Sequence, residues 1–200
     1  MKPTARAKLE TYTDPANHYS FRTYDRQSEV DAPLTAADVL SANLLSLKLG
    51  WRDAIPMFAD GDGPEQRLRV ALDAALEELR DAKAFESYES VEALEQAVVS
   101  LSAANAATEG VNNWTPVTVS KVLHRRRPQI VPLNDSIVRK FYDVTMEQSA
   151  TLRASLWHDV RDNEDWLGPL ASTTTTSDGR QLSLLRLADI LIWMDGMSRN

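Results

Sequence analysis

The chain has 200 residues, 43% of them hydrophobic, which is enough to bury a core in one domain. It contains no cysteine, which excludes disulfides and thiolate chemistry, and its net charge of −7 disfavours binding of nucleic acid by the protein surface as a whole. No apolar run is long enough for a signal peptide or a membrane span, so we expect a cytoplasmic protein without membrane contact.

In chain order, the patterns predict an all-α protein with a single helical domain, for which two lobes stay an open alternative. Residues 1–33 have no sustained period and predict an N-terminal arm packed on the body, with one short helix near 21–26. Residues 34–200 predict the helical domain, because no segment alternates as a strand does. Its helices are predicted to begin after Thr35, at Trp51, at Pro64, after Ser90, after Thr115, after Asn134 or Asp135, at Thr145, at Asn163 and at Leu182.

A basic segment between Lys121 and Lys140 stands out from this acidic background. It has six Lys or Arg and one acid, a net charge of +5, whereas the other 180 residues carry −12. A basic segment of this kind in an acidic protein indicates an anionic partner, such as the phosphate backbone of a nucleic acid. A solvated basic face that offsets nearby acids is the alternative.

The helix after Thr115 carries much of this charge. Val119, Val122 and Leu123 share one face by their spacing, and Lys121 and Arg125 share the opposite face. We therefore expect the apolar stripe of this helix to face the core and its basic stripe to face away from the core. The free N–H groups at the N-terminus of the same helix are suited to bind an anion.

The segment Val111 to Leu123 resembles the helix-hairpin-helix motif of the DNA glycosylase superfamily, whose pattern is Leu-Pro-Gly-Val-Gly-x-x-Thr-Ala-x-x-x-Leu. Twelve residues beyond Leu123, the run from Asp135 to Arg139 resembles the superfamily's Val-Asp-Thr-His-Val-x-Arg segment, which holds the catalytic aspartate. The resemblance implies a helix-hairpin-helix element near residues 93–126 and a catalytic role for Asp135. Ser120 to Asp135 also resembles an uncharacterised bacterial family with the pattern Ser-Lys-Leu-Leu-x-Arg-Lys-Arg-Pro-x-Leu-Ile-Pro-Val-Tyr-Asp.

The chain departs from the glycosylase pattern at three positions. The hairpin glycines, which let backbone amides approach a phosphate, fall at Asn113 and Thr115. The lysine of bifunctional glycosylases falls at Val117, so Schiff-base chemistry at that place is excluded. We therefore expect no glycosylase activity, and a lone aspartate such as Asp135 at a predicted helix start is more often a cap than a catalyst.

Other polar and aromatic residues admit two interpretations each. His124 is a candidate general base or phosphate ligand, or a partly exposed surface residue. Trp114 either stacks on a base or plugs the turn. Arg186 and Asp189, three residues apart on an apolar helix, form either a structural pair or part of a cleft. The acids near His158 indicate a solvated face, and we predict no metal and no cofactor.

The leading hypothesis is a protein that binds nucleic acid or another polyanion. The residues proposed for this binding are Lys121, His124, Arg125, Arg126, Arg127, Arg139 and Lys140. No motif in the sequence specifies an enzyme. One alternative is a non-enzymatic interaction module whose arginines contact an acidic protein partner. A second alternative is a hydrolase acting on a nucleic base or nucleotide, in which Asp135 activates water. The sequence leaves the oligomeric state open.

Overall fold

Eleven α-helices make up most of the described chain. We analysed a computed structural model, which describes residues 2–26 and 31–198. Within these ranges the helices are α1 (Ala5–Thr13), α2 (Ala36–Ser41), α3 (Trp51–Ala54), α4 (Pro64–Glu78), α5 (Val91–Ala97), α6 (Val99–Ala106), α7 (Pro116–Arg126), α8 (Ser136–Tyr142), α9 (Ser149–Asp162), α10 (Glu164–Ser172) and α11 (Leu184–Met197). The described residues contain one isolated β-bridge, between Thr175 and Gln181, and no strand, so the all-α prediction is confirmed.

Local capping chemistry sets most of the helix starts. Thr35 and Asp38 form a reciprocal capping box at α2, and the Ser90 side chain accepts a hydrogen bond from Ala93 N at α5. Pro64 and Pro116 occupy the first positions of α4 and α7, where a missing N–H costs nothing. These starts agree with the sequence prediction.

The segment predicted as an N-terminal arm contains the helix α1. Ala5, Leu9 and Tyr12 recur at helical spacing and are buried against α10 and α11. Two short 3-10 turns follow, at Pro15–Asn17 and Ser20–Arg22, so the short helix expected near 21–26 begins earlier. Helix α1 was not predicted because polar residues separate its three apolar positions and the segment shows no sustained period.

The core consists of two apolar clusters that share α11. The larger cluster joins α2, α4, α6, α7 and α9, and the smaller one joins α1, α10 and α11. Leu185 and Ile192 of α11 belong to the larger cluster, whereas Leu187 and Leu191 belong to the smaller one. The long apolar helix therefore lies centrally, as its composition predicts. None of the described helices combines the length and apolar character that crossing a membrane requires.

A close approach between α8 and α11 holds the start of α8 in place. A Cβ added to Gly196 would lie 2.2 Å from Cγ2 of Ile137, which is shorter than any tolerable contact. We expect Gly196→Ala to lower the free energy of unfolding by about 1–2 kcal/mol, because this overlap outweighs the gain in helix propensity. Chemical denaturation checks the value. In an Ile137→Ala background the penalty should shrink, and an equal penalty in both backgrounds would disprove the contact.

Candidate functional site

A cleft of about 510 Å³ lies where α1, α7, α8 and α11 meet. The turn at 18–20 and the segment 44–46 complete its rim. Apolar and aromatic side chains form most of the wall, and a few charged groups converge at one end. This size and this mixture are typical of small-molecule sites.

Lys121 and Asp135 form an ion pair in this cleft. Nζ of Lys121 lies 3.0 Å from Oδ2 of Asp135 and donates a second hydrogen bond to the Leu45 carbonyl, at 2.8 Å. The Lys121 side chain is 6% exposed and that of Asp135 is 18% exposed. The buried ammonium therefore fixes the carboxylate at the cleft wall while leaving it accessible.

Local structure explains how Asp135 reaches this position. Its Oδ1 accepts a hydrogen bond from Ile137 N at 2.9 Å and caps α8, so the cap interpretation is confirmed. The residue before it is anchored to α7, because Asn134 N donates to Ser120 Oγ at 3.0 Å. The carboxylate is thus both a helix cap and a cleft group, and the two interpretations are compatible.

A second carboxylate, Asp189, enters the cleft from α11. Its Oδ2 accepts a hydrogen bond from Nη1 of Arg186, whose Nε also donates to Asp25 Oδ1 at 2.7 Å. Oδ1 of Asp189 makes no hydrogen bond to any described residue. Burial raises the pKa of Asp189 to about 6, Arg186 opposes the shift, and the charges of Asp135 and Asp25 add to it. The predicted pair is therefore present, and it is both a structural contact and part of a cleft.

Three aromatic rings also line the cleft, and the hydroxyl of one of them, Tyr12, accepts a hydrogen bond from Arg186 at 2.9 Å. Tyr12 stacks on Tyr19 with centroids 5.2 Å apart, and Trp193 meets both rings edge-on, at 6.2 Å and 5.7 Å. Tyr12 is buried, while Tyr19 and Trp193 are partly exposed. Tyr19 and Trp193 therefore present partly exposed aromatic rings to the same cavity as the two carboxylates.

The structure does not bring the seven predicted anion-binding residues into one exposed patch. Lys121, His124, Arg126 and Arg127 are at most 5% exposed, Arg125 and Arg139 are half-buried, and only Lys140 is exposed. The basic stripe of α7 faces other parts of the chain instead of solvent.

Internal partners account for this burial. Arg126 Nη1 lies 3.1 Å from Asp38 Oδ2, and Arg125 Nη1 lies 3.4 Å from Oδ1 of the same carboxylate. Arg127 donates to the Leu76 carbonyl at 2.8 Å, and Arg139 donates to the Asn134 carbonyl at 2.9 Å. The guanidinium groups of α7 thus bind the Asp38 carboxylate and the Leu76 carbonyl, and that of Arg139 binds the backbone just before α8.

His124 is a core residue, in contrast to the partly exposed histidine that the sequence favoured. It is 1% exposed, and its Nδ1 lies 2.5 Å from the Val131 carbonyl, so Nδ1 carries the proton and donates it. Burial and the nearby Arg186 lower the pKa of His124 to about 3. The ring is therefore neutral near pH 7 and adds no positive charge.

Residues 107–115 connect α6 to α7 and include the segment 111–115 that the sequence predicts as a turn. Val119, Val122 and Leu123 are buried behind it, as the apolar stripe predicts. Asn113 in this segment has a φ of 62°, a left-handed conformation that asparagine tolerates.

Contacts with α3 occupy the surface of this turn. Asn113 Nδ2 donates to Asp53 Oδ1 at 2.8 Å, and the indole N–H of Trp114 donates to the Asp53 carbonyl at 3.1 Å. Trp114 is 4% exposed and therefore plugs the turn, as one of its two interpretations holds. The Asp53 carboxylate beside the turn opposes the binding of a phosphate there.

Comparison with known families places this whole architecture in one group. A model for a family of unknown function, DUF6308, matches residues 5–196. The chain belongs to this family. No curated protein and no solved structure matches it. The DUF6308 match begins with α1 and extends to the last turn of α11, so it contains every cleft residue described above.

Sequence reasoning found part of this candidate site. It singled out Asp135 and Lys121, and it noted Arg186 and Asp189 as charges that interrupt an apolar helix. It missed Tyr12, Tyr19 and Trp193, which come from opposite ends of the chain, and only the folded topology brings them together. No group of three or more His, Asp or Glu side chains that could hold a metal ion occurs among residues 2–26 and 31–198.

Proposed function

We propose that this protein is a hydrolase that cleaves the bond joining a nitrogenous base to the rest of its substrate, with Asp135 and Asp189 as its acid–base pair. The observation that carries the proposal is the placement of two carboxylates in one accessible cleft, each held by a different cation. Pairs of carboxylates in unlike environments divide the roles of base and acid between them.

The roles follow from the contacts of each carboxylate. Asp135 is held beside the Lys121 ammonium, and its two bound oxygens retain lone pairs that can accept a proton from water. Asp189 is buried, and its raised pKa keeps a proton on the carboxyl up to about pH 6. Water attacks the carbon as Asp135 takes its proton, and the carbon–nitrogen bond breaks as the nitrogen receives the proton of Asp189. The proton then on Asp135 restores Asp189 after product leaves.

Two further features support a base-containing substrate. The rings of Tyr12, Tyr19 and Trp193 offer a stacking surface for a planar heterocycle. In addition, Asp135 occupies the position at which the chain resembles the catalytic segment of the glycosylases, although Asn113, Thr115 and Val117 depart from their hairpin motif.

Turnover of a nucleoside panel tests the proposal. Wild-type protein should release free base, detected by liquid chromatography, and Asp135→Asn should reduce kcat about 10²–10⁴-fold, the usual contribution of a general base. The amide oxygen in Asp135→Asn can still accept from Ile137 N and cap α8, so the helical circular-dichroism signal should survive, although the contact that Oδ2 makes with Lys121 is lost. A folded Asp135→Asn protein with wild-type kcat would rule out the assigned role.

The pH profile tests Asp189 separately. A group that must donate a proton loses activity as the pH rises through its pKa, so kcat should fall about tenfold per pH unit above pH 6. The charges that face Asp189 are Arg186, Asp25 and Asp135, and all three stay in place in Asp189→Asn. That variant should be slow at every pH and should lack the step near pH 6. A wild-type profile that is flat between pH 5 and pH 8 would contradict the assignment.

Polyanion binding through the basic segment stays a prediction from the sequence. Of the seven residues proposed for it, Lys140 is exposed and Arg125 and Arg139 are partly exposed. Fluorescence anisotropy with a labelled oligonucleotide at about 50 mM salt tests this prediction separately from the hydrolase proposal. Because so few of these cations are exposed, we expect little salt-dependent affinity.

A further inference from the structure

The charge balance of the cleft is the feature that bears on its substrate. Of the described residues that line the cleft, Lys121 and Arg186 are the two that belong to the Lys or Arg type. Asp135 and Asp189 line it as well, and Asp25 lies directly behind Arg186. Two carboxylates therefore match two cations among the lining residues, and Asp25 adds a third carboxylate behind Arg186, so no positive charge is left over for an anion.

Both cations are already engaged with these carboxylates. Arg186 donates from Nε and Nη2 to Asp25, at 2.7 Å and 3.0 Å, from Nη1 to Asp189, and from Nη2 to the Tyr12 hydroxyl at 2.9 Å. Four of its five N–H groups are thus in use. Its guanidinium also lies between the rings of Tyr12 and Tyr24, with centroid distances of 5.7 Å and 5.5 Å, which prevents it from turning into the cleft.

Lys121 is held almost as firmly. Two of its three N–H groups donate, to Asp135 and to the Leu45 carbonyl. A phosphate that approached Lys121 would meet the Asp135 carboxylate 3.0 Å from the ammonium, so attraction to one group is offset by repulsion from the other.

The other usual phosphate-binding elements are also lacking in the described part of the cleft. The helix that starts there, α8, has only seven residues, and Asp135 itself occupies its cap. His18 lies at the rim and is exposed to solvent, so any attraction between its ring and a phosphate would be screened. Phosphate sites are built from convergent guanidinium groups or backbone amides.

From these contacts we infer that the substrate carries no phosphate: it is a free nucleoside or a similarly neutral base-containing molecule, and not a nucleotide or a nucleic-acid strand. The inference rests on the proposed hydrolase function and narrows its substrate class. The neutral heterocycle of the substrate stacks on the rings of Tyr19 and Trp193. The polar groups of the substrate then face carboxylates that would repel an anion.

Paired ligands test the inference. Adenosine, guanosine, cytidine and uridine are each compared with their 5′-monophosphates by isothermal titration calorimetry at 50 mM and 300 mM salt. At least one nucleoside should bind, and its monophosphate should bind about tenfold or more weakly, which corresponds to about 1.4 kcal/mol. Tighter or equal binding of the monophosphate would overturn the inference but leave the hydrolase proposal standing. Binding of neither class would remove both.

A gain-of-function variant provides the control. Ser136 is exposed at the cleft, so Ser136→Lys adds an ammonium there and should strengthen monophosphate binding relative to nucleoside binding. Ser102→Lys places the same charge on the exposed face of α6, away from the cleft, and should change neither affinity. If Ser102→Lys strengthens monophosphate binding as much as Ser136→Lys does, the phosphate effect does not arise in the cleft.

Discussion

Replacement of Arg186 by Met should lower the free energy of unfolding by about 3–5 kcal/mol. Arg186 is 2% exposed and binds Asp25 and Asp189, which are 7% and 5% exposed. Removing the guanidinium leaves two buried carboxylates without a countercharge, and their desolvation is then uncompensated. Urea denaturation followed by circular dichroism gives the value.

A surface arginine provides the comparison for this variant. Arg6 is exposed on α1, and Arg6→Met should leave the unfolding midpoint unchanged within error. If the two variants lose equal stability, the Asp25–Arg186–Asp189 contacts do not stabilise the fold in the way described.

Charge reversal of Arg125, Arg126 and Arg127 together should unfold the protein. Arg126 and Arg127 are each 1% exposed, and Arg125 and Arg126 both contact Asp38, which is 5% exposed. Three glutamates would place like charges against a buried carboxylate, at a cost of several kcal/mol that exceeds the stability of a typical domain of this size. Loss of the helical circular-dichroism signal at 25 °C is the expected result.

The matched surface variant is Lys140→Glu, since Lys140 is the exposed member of the same basic segment. It should keep the wild-type spectrum and melting temperature. A triple variant that stays folded with a melting temperature within a few degrees of wild type would restore the interpretation of the arginines as a surface patch.

The helices could be predicted from sequence because their determinants are local. The capping box of Thr35 with Asp38, and the prolines that open α4 and α7, act over three or four residues, and the structure contains each of them. The break between α5 and α6 at Val98 could not be predicted, because nothing in the neighbouring residues marks it.

The environment of the basic segment could not be predicted, because its partners are distant in sequence. Asp38 lies 88 residues before Arg126, and the Leu76 carbonyl lies 51 residues before Arg127. A charge pattern on one helix indicates which side chains share a face, but it does not reveal whether that face meets water or another helix. The same limit applies to the cleft, where α1 and α11 bring Tyr12 and Trp193 together.

Nuclear magnetic resonance of the tryptophan indole groups tests the central claim most directly. Of the five tryptophans in the chain, Trp193 is the one that lines the cleft, whereas Trp114 and Trp157 are buried elsewhere. In protein labelled with ¹⁵N-tryptophan, titration with the nucleoside that binds best should shift the Trp193 indole peak and leave the other four in place, with assignment by Trp193→Phe. A saturating ligand that shifts a different indole, or shifts none while calorimetry detects binding, would contradict a substrate site between Asp135, Asp189 and the aromatic rings.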